Sequence, residues 1–423
     1  MASSRSSERG GDVPVAILIR LPVATKTRAH SPTPEALKPI RVMRSRHSRE
    51  GTEPTVTTPP PESRVRGTPM LASRRQFVAA GLLAPFIASC ATRPGRATDE
   101  SLPALAARLR VNATYVTLEK GRPNAPVVLS GNPEVPRVHS DSIFQAASLT
   151  KQVIAYAVLR YVLAGRLDLQ APASRYLPDG YLHRRNPFGG PDDRSTDLVA
   201  PETLARIPVA TLLNHSSGLP NWTRGRLAPG FEPGKRWQYS GEGYLLLQAI
   251  LGALTGTDIE ALLGRDVFAP LGMHDSRLRL TDDIRPRVVI GTSRSGRPRH
   301  FEFHEPNAAA SLYSTAPDYA RLLAAWLAQP ELLEKATANP IPTDPELGLS
   351  WGYGWGIEST SVGPCLWQWG NNPGYRAFTM VSTSSRNGFV LLTNSERGMA
   401  LASPLARSVV STDHPVFRFR SLS

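Results

Sequence analysis

Apolar positions spaced three and four residues apart predict helices in several parts of the chain. Residues 148–164 carry this pattern on a broad face, and Gly165 follows as a typical C-terminal cap. The segment is therefore predicted to be a core helix with Ser148 in its first turn. The other predicted helices are 102–109, 209–213, 243–254, 259–268 and 318–327, the last beginning after Pro317.

Apolar runs bounded by turn residues predict antiparallel strands. Residues 114–118 and 127–129 are predicted to form a hairpin. The region 172–233 is dense in Pro, Gly, Asp and Asn, so we expect loops and short helices there that wall a site. Three consecutive antiparallel strands are predicted near the end of the chain, at 366–370, 375–382 and 388–393.

Length and charge narrow the class of protein. With 423 residues, 41% of them hydrophobic, the chain can bury a large core in one large domain or two intimately packed ones. The net charge of +14 would suit a nucleic-acid partner, because clustered Lys and Arg neutralise phosphates. However, residues 1–69 hold +6 of it and Arg74 and Arg75 hold two more. From Cys90 onward no basic stripe is interleaved with aromatic residues, so we expect no nucleic-acid binding.

The first ninety residues differ in composition from the rest. Residues 1–69 are rich in Ser, Pro, Thr and Arg, and such a composition cannot bury enough apolar surface to offset chain entropy. They are predicted to be disordered or to precede the true start of translation at Met70. Residues 70–90 contain two adjacent arginines, an apolar run and Cys90, and they resemble a twin-arginine signal peptide with a bacterial lipobox.

That apolar run is roughly half of the ~20 residues that span a bilayer, which argues against a transmembrane anchor. We therefore expect an exported periplasmic protein of the bacterial cell envelope, held in a membrane by a lipid on Cys90. Ala91 after the cysteine favours the outer membrane. The mature domain is predicted at 91–423.

Ser148-Leu149-Thr150-Lys151 forms an S-x-x-K motif. Residues i and i+3 share a helix face, so the serine oxygen and the lysine nitrogen can touch. Serine is a weak nucleophile that needs an adjacent base. A helix N-terminus favours a developing alkoxide, and desolvation can hold Lys151 neutral enough to accept a proton. The motif alone also fits an N-cap serine with a surface lysine.

Further segments remove that ambiguity, and they occur in the order 144–151, 165–169, 212–219, 231–234 with 239–244, 270–273 and 314–318. In this order they resemble the serine β-lactamase and penicillin-binding-protein superfamily, in particular its class C β-lactamase, DD-peptidase and esterase group. The resemblance covers about residues 100–410. It implies an α+β fold in which an antiparallel β-sheet is flanked by helices and joined to an all-helical subdomain, with the active site between them.

The resemblance also implies roles for individual residues. Ser148 would be acylated, Lys151 would share its proton, and Tyr239 would act as general base or acid. The backbone N–H groups of Ser148 and Asn372 would form the oxyanion hole. His215 could suggest a catalytic triad, but in the family this position is structural. No cofactor is implied.

Two departures from the family pattern shape the expected substrate. Gly241 replaces the Asn of Tyr-x-Asn, so a substrate-binding amide is missing. Trp369, Gly370 and Asn371 replace Lys-Thr-Gly or His-x-Gly, so the cation that attracts a substrate carboxylate is missing, although some esterases of the group carry Trp-Gly-Gly. One charge-assisted hydrogen bond contributes about 1.5–3 kcal/mol, so esters are favoured over carboxylate-bearing lactams and D-Ala-D-Ala termini. These four residues are predicted substrate contacts, as is Arg376, which either restores a cation or is a solvated strand-end residue.

Other reactive residue types have plainer interpretations. His300, Glu302 and His304 alternate, which on a strand would place all three on one face, and we interpret them as a solvated polar face and not as metal ligands. Cys365 is predicted to be a small core residue. Because Cys90 would carry lipid, no disulfide is expected within the chain.

Three hypotheses follow. The leading one is an esterase or amidase that forms an acyl-enzyme on Ser148 with a small ester, amide or lactam substrate. The second is a β-lactamase or D-Ala-D-Ala-type peptidase. The third is a catalytically silent envelope lipoprotein that binds a peptidoglycan fragment or a partner. The oligomeric state is not determined by the sequence.

Overall fold

A computed structural model describes residues 100–189, 192–193 and 195–422. The predicted disordered segment 1–69, the predicted signal segment 70–90 and Cys90 lie outside these residues. The strands in chain order are β1 (Asn112–Glu119), β2 (Arg122–Pro123), β3 (Val127–Ser130), β4 (Phe144–Ala147), β5 (Tyr181–Arg184), β6 (Thr196–Val199), β7 (Gly291–Thr292), β8 (Pro298–Arg299), β9 (Leu312–Ser314), β10 (Ile341–Asp344), β11 (Leu349–Trp351), β12 (Gly356–Thr360), β13 (Gly363–Asn372), β14 (Tyr375–Ser382) and β15 (Gly388–Thr393).

Helices cover much of the remaining described sequence. A π-helical segment at Gly264–Phe268 joins the sixth α-helix to the seventh. The α-helices are α1 (Leu102–Leu109), α2 (Thr150–Leu163), α3 (Pro201–Leu204), α4 (Val209–Leu213), α5 (Gly241–Thr255), α6 (Ile259–Leu263), α7 (Ala269–Leu271), α8 (Ala316–Leu327), α9 (Pro330–Thr337) and α10 (Ala402–Val409).

The main sheet has nine strands, and its paired neighbours are antiparallel. Its order is β10-β11-β12-β13-β14-β15-β1-β2, and β3 also pairs with β1. The predicted hairpin is therefore β1 with β3, and the three predicted C-terminal strands are β13, β14 and β15. The apolar runs predicted the positions of these strands correctly, because buried strands are rich in β-branched and aromatic residues and are bounded by turn residues.

The sheet buries both of its faces. Leu366 lies opposite Val381, and this row packs in the apolar core that includes α2, α5 and α8. The next residue, Trp367, lies opposite Met380 and packs in a second core with α1 and α10. The alternation follows from the two-residue period of a strand. Continuous apolar runs were the sequence signal of this two-sided burial.

The region between β4 and β10 contains the helices α2 to α9, and it also contains the small hairpins β5–β6 and β7–β8 and the strand β9, which pairs with β4. Among the described residues no single helix has the length and hydropathy to cross a bilayer, and only the bent pair Gly241–Thr255 and Ile259–Leu271 passes that test together, with a 77° bend. Helix α8 begins at Ala316, two residues earlier than predicted, because Pro317 lies in its first turn, where no backbone N–H is needed.

Candidate active site

Ser148 lies in a tight turn between β4 and α2. The prediction that it belongs to the first helical turn was wrong, because α2 begins at Thr150 with Leu149 as its N-cap. Ala147 has a left-handed backbone with φ of 50°, and the Leu149 N–H donates to the Ala146 carbonyl oxygen at 3.1 Å. A non-glycine residue in this region is uncommon and stores strain. The turn leaves the Ser148 side chain half-buried at the wall of a pocket.

The Lys151 ammonium group is fully buried beside this serine. Its Nζ donates to Ser148 Oγ at 3.1 Å and to the Ala309 carbonyl oxygen at 2.7 Å. It forms no ion pair with any described carboxylate. Burial therefore holds the pKa of Lys151 well below its usual value. A lysine in this state can take a proton from the hydroxyl group that it touches.

Tyr239 completes the group of reactive side chains. It precedes α5, whose N-cap is Ser240, and its ring centroid lies 4.8 Å from Lys151 Nζ. Burial raises the pKa of Tyr239, and the neighbouring Ser148 side chain acts in the opposite direction. Its hydroxyl oxygen is buried beside the Ser148 side chain, and no other described residue is near enough to be its hydrogen-bond partner. A phenol in this position can exchange a proton with Ser148 or with a bound substrate.

His215 supports Tyr239 and does not form a triad. The two ring centroids are 4.3 Å apart, and His215 Nδ1 accepts a hydrogen bond from the Ser240 N–H at 3.1 Å. Its Nε2 has no partner among the described residues, so it makes no hydrogen bond to Ser148. Burial, followed by the nearby Lys151 charge, lowers the pKa of His215 well below its usual value. The structural role expected from the sequence agrees with this placement.

Strand β13 forms the opposite wall of the pocket. Trp369, Asn371 and Asn372 line it together with Ser148. Asn372 Nδ2 donates to Gln145 Oε1 at 2.9 Å and to the Ala310 carbonyl oxygen at 3.2 Å, which ties the end of β13 to β4. This places the predicted oxyanion donors, at Ser148 and Asn372, on the wall of one cavity.

Gly370 does not line the pocket. A Cβ atom there would lie 2.4 Å from the Ala146 carbonyl oxygen and 3.1 Å from the Ala147 Cβ. Glycine at this position therefore lets β13 pack directly against β4, and its contribution is to the position of Ser148.

Arg376 is also absent from the residues that line this pocket. Its Nη1 donates to the carbonyl oxygens of Asn372 at 3.1 Å and Tyr375 at 2.7 Å. These local hydrogen bonds hold the guanidinium at the end of the β13–β14 hairpin, where it lines a different surface pocket beside Glu396. Its prediction as a substrate contact is therefore not supported by its position.

Gly241 lies beneath an aromatic ring. A Cβ atom there would lie 2.3–2.6 Å from three carbons of the Trp222 indole, so the ring occupies the space that a side chain would need. Trp222, not Gly241, lines the pocket. Phe188, Asn221 and Phe301 line it as well, and none of these residues was predicted. Phe188 and Trp222 are aromatic residues in the Pro- and Gly-rich region 172–233, which was their only sequence signal, and Asn221 and Phe301 had none.

The pocket has a volume of about 560 Å³. The part of the chain that the structure describes contributes five aromatic side chains and no charged one to its lining, and such a surface suits a neutral, partly apolar molecule. The lining residues are Ser148, Phe188, Asn221, Trp222, Tyr239, Phe301, Ala310, Trp369, Asn371, Asn372, Pro373 and Ser421.

One side of the pocket comes from the segment 411–422. Ser421 lines the cavity, and the Phe419 ring packs edge-on against Trp369 with 6.2 Å between centroids. The buried pair His414 and Glu358 ties this segment to β12, with 2.5 Å between Nδ1 and Oε1. The sequence analysis did not identify this wall, because the chain must pass across the sheet to form it.

A buried Glu358, Cys365 and His414 group is the only described set with metal-ligand spacing. Both His414 nitrogens already have partners, since Nε2 lies 3.0 Å from the Val410 carbonyl oxygen. Burial raises the pKa of the Cys365 thiol to about 12, so the thiolate that binds metals is disfavoured. Cys365 is a buried core residue, as predicted.

His300, Glu302 and His304 do not lie on a strand. They are exposed in an irregular segment after β8, and Glu302 lies beside Arg285. The expected strand was wrong because Pro298 and Arg299 make only a two-residue pairing with β7.

Comparison with known proteins places the chain in a family. The Beta-lactamase family model matches residues 104–413, and the chain belongs to that family. This agrees with the resemblance seen in the sequence, and the family consists of serine hydrolases.

Individual relatives are more distant. The chain is 27% identical over 278 residues to esterase EstB of Burkholderia gladioli, an alignment that covers 52% of this chain and 67% of that protein. It is 24% identical over 301 residues to penicillin-binding protein 4* of Bacillus subtilis, covering 61% and 62% of the two chains. These alignments leave about a third of each relative unmatched.

Solved structures support the fold. A class C β-lactamase superposes with a TM-score of 0.59 at 16% identity, over 73% of this chain and 92% of its own. A D-stereospecific amidohydrolase from Streptomyces gives 0.57 at 18% identity, over 74% and 100%. The predicted fold class, with its antiparallel sheet and helical region, is confirmed.

Proposed function

We propose that this chain is an ester hydrolase that forms an acyl-enzyme on Ser148. The observation that carries the proposal is the 3.1 Å contact between Lys151 Nζ and Ser148 Oγ, made by a lysine that is buried without a carboxylate partner. A surface lysine would remain protonated, whereas this one can act as the base that serine requires.

The reaction proceeds in two stages. Neutral Lys151 takes the proton from Ser148 Oγ, and the oxygen attacks the ester carbonyl carbon. The N–H groups of Ser148 and Asn372 stabilise the oxyanion, a contribution of roughly 3–4 kcal/mol for such donors. The carbonyl re-forms as the bond to the alcohol breaks, and the Tyr239 phenol gives its proton to the departing oxygen. Lys151 then returns the first proton to Tyr239.

Deacylation reverses the proton transfers. A water molecule loses a proton to the Tyr239 and Lys151 pair, its oxygen attacks the acyl carbon, and Ser148 Oγ recovers a proton as it leaves. The buried Tyr239 hydroxyl is suited to this relay because it has no other partner among the described residues.

The pocket lining favours an ester over an anionic lactam or peptide. Among the described residues no charged side chain lines it, so a substrate carboxylate would be desolvated without a counterion from these residues. The likeness to esterase EstB gives further support.

The test is an activity panel on the purified protein. We expect hydrolysis of p-nitrophenyl butyrate, with at least 100-fold lower kcat/KM for a chromogenic cephalosporin and for a D-Ala-D-Ala peptide. Ser148→Ala should abolish turnover and labelling by a fluorophosphonate, while Ser408→Ala on α10 serves as the matched control. Faster cephalosporin turnover would instead favour a β-lactamase, and an unlabelled Ser148 would favour the silent binding protein.

We also propose that the protein is exported and lipid-anchored at Cys90. The support is the arginine pair, apolar run and cysteine within 70–90. In cells given an alkyne fatty acid, the full chain should be labelled and found with the membrane, and Cys90→Ser should lose the label. Equal labelling of both would contradict the proposal.

A further inference from the structure

The position of Trp222 is fixed by the start of α5. The N–H groups of Gly241 and Glu242 both donate to the Asn221 carbonyl oxygen at 3.1 Å, and the Gly241 N–H also lies 3.0 Å from Asn221 Oδ1. On the other side of the tryptophan, the Thr223 N–H donates to Glu242 Oε1 at 3.1 Å. The backbone is therefore held both before and after Trp222, whose side chain lines the pocket.

Buried polar groups hold Glu242 in turn. His183 Nε2 lies 3.3 Å from Glu242 Oε2, and His183 Nδ1 lies 2.7 Å from Asp197 Oδ1. His183 and Glu242 have no exposed surface. The contact between His183 Nε2 and Glu242 Oε2 is not a hydrogen bond, but it places the hairpin β5–β6 directly against the residue that holds the Trp222 loop.

Gly241 is what allows the ring to lie there. Its missing Cβ would meet Trp222 Cη2 at 2.3 Å, Cζ3 at 2.5 Å and Cζ2 at 2.6 Å, well inside van der Waals contact. The backbone around Gly241 is helical, so glycine is not required for its φ angle. The Trp222 indole occupies the space that a side chain at position 241 would need, which explains the glycine there.

Two phenylalanines extend the surface. Phe188 meets Trp222 edge-to-face with 4.6 Å between centroids and lies 6.2 Å from Phe301. All three rings line the cavity that contains Ser148, and Phe188 remains 40% exposed. Aromatic rings favour edge-to-face and offset contacts with one another, so an open cluster of three can accept a fourth.

We propose that Phe188, Trp222 and Phe301 form a subsite for an aryl group of the substrate, so that the favoured esters carry a benzene-like ring near the scissile bond. This rests on the ester hydrolysis proposed above. The ring can belong to the acyl part or to the alcohol part of the ester. In both cases a phenyl ring would contact the same three aromatic side chains.

Matched esters distinguish the sources, with hydrolysis followed by pH-stat titration. Ethyl 3-phenylpropionate carries the ring on the acyl side, 2-phenylethyl propionate carries it on the alcohol side, and ethyl propionate carries none. Because the ring is two carbons from the reacting group, the intrinsic reactivities are similar. We expect at least one ring-bearing ester to have a kcat/KM roughly tenfold or more above that of ethyl propionate.

Two variants test the subsite itself. Trp222→Ala removes the ring, and Gly241→Ala keeps it but forces it aside, so both should reduce the preference for the ring-bearing ester at least fivefold. Leu182→Ala, at an exposed position of β5, should leave the preference unchanged. Fluorophosphonate labelling of Ser148 reports whether each variant is folded. Equal kcat/KM for all three esters in the wild type, or an unchanged preference in both folded variants, would overturn the proposal.

Failure of the proposed function would look different, because the wild type would then hydrolyse none of the esters. In that case the subsite is tested by binding of 3-phenylpropionamide, followed by ligand-observed NMR. Binding that Trp222→Ala weakens at least fivefold supports the subsite, and binding that is absent or unchanged overturns it.

Discussion

Two buried nitrogen bases in this protein have opposite surroundings. Lys151 is buried against Ser148 and a carbonyl oxygen with no described carboxylate in contact, whereas His414 lies 2.5 Å from the Glu358 carboxylate. Burial lowers the pKa of Lys151. Burial also acts to lower the pKa of His414, but the hydrogen bond and charge of Glu358 outweigh it and raise that pKa.

The difference distinguishes a side chain that is suited to catalysis, Lys151, from one that stabilises the fold, His414. A buried cation without a partner is destabilising, so its retention beside a serine is explained by a need for a neutral base. A buried cation with a carboxylate and further hydrogen bonds can hold two segments together. We propose that the first group activates Ser148, whereas the second holds the segment 411–422, from which Ser421 lines the pocket and Phe419 packs against Trp369.

The largest expected effect comes from removing the unpaired base. Lys151→Met keeps the length of the side chain but cannot accept a proton, so kcat/KM for p-nitrophenyl butyrate should fall about 10³-fold, within the range for general bases. The matched control is Lys335→Met on α9, where the lysine is exposed. A Lys151→Met enzyme within tenfold of the wild-type value would remove the lysine from the mechanism.

Removing the carboxylate partner of His414 should mainly lower the stability of the fold. Glu358→Gln leaves the shape intact but removes the negative charge next to buried His414, so the free energy of unfolding should decrease by about 3 kcal/mol. Denaturant unfolding measures it, with Glu334→Gln on the exposed face of α9 as control. A decrease no larger than that of the control would show that the pair contributes nothing.

The same pair predicts a pH dependence of stability. Because the folded pKa of His414 is raised, its contribution is complete below the unfolded pKa of about 6.5 and is lost as the pH rises through the folded pKa. The wild-type Tm should therefore fall across this window relative to that of His414→Gln. Parallel Tm curves for the two proteins, measured by calorimetry from pH 5 to 9, would contradict this assignment.

The smallest expected effect has the opposite sign. Since the folded pKa of Lys151 is lowered, the fold is penalised at every pH below the unfolded value of about 10.5. Lys151→Met removes this penalty, partly offset by the loss of the hydrogen bond to Ala309, and should raise the Tm at pH 7 by roughly 2 °C. A fall of several degrees would mean that Lys151 stabilises the fold.

The sequence predicted most of the architecture. The strands β13, β14 and β15 lie where continuous apolar runs predicted them, although β13 is five residues longer than predicted, and helix α1 has the predicted bounds. The contact between Ser148 and Lys151 was also predictable. Residues three apart lie on the same side of the chain in the short turn before α2, as they do in a helix.

The pocket walls were less predictable. Phe188, Trp222 and Phe301 come from distant loops, and only long-range packing brings them together. Of the two alternatives for Arg376, its position at the strand end agrees with the solvated residue, because local hydrogen bonds to the hairpin carbonyl groups hold its side chain outside the pocket.

The central claim is that neutral Lys151 activates Ser148, and the pH dependence of Ser148 phosphonylation tests it most directly. In the wild type, the labelling rate should rise with pH through one titration well below pH 10.5, because deprotonation creates the base. Lys151→Met should react slowly and lose that rise. An identical pH profile in the two proteins, at equal rates, would contradict the claim.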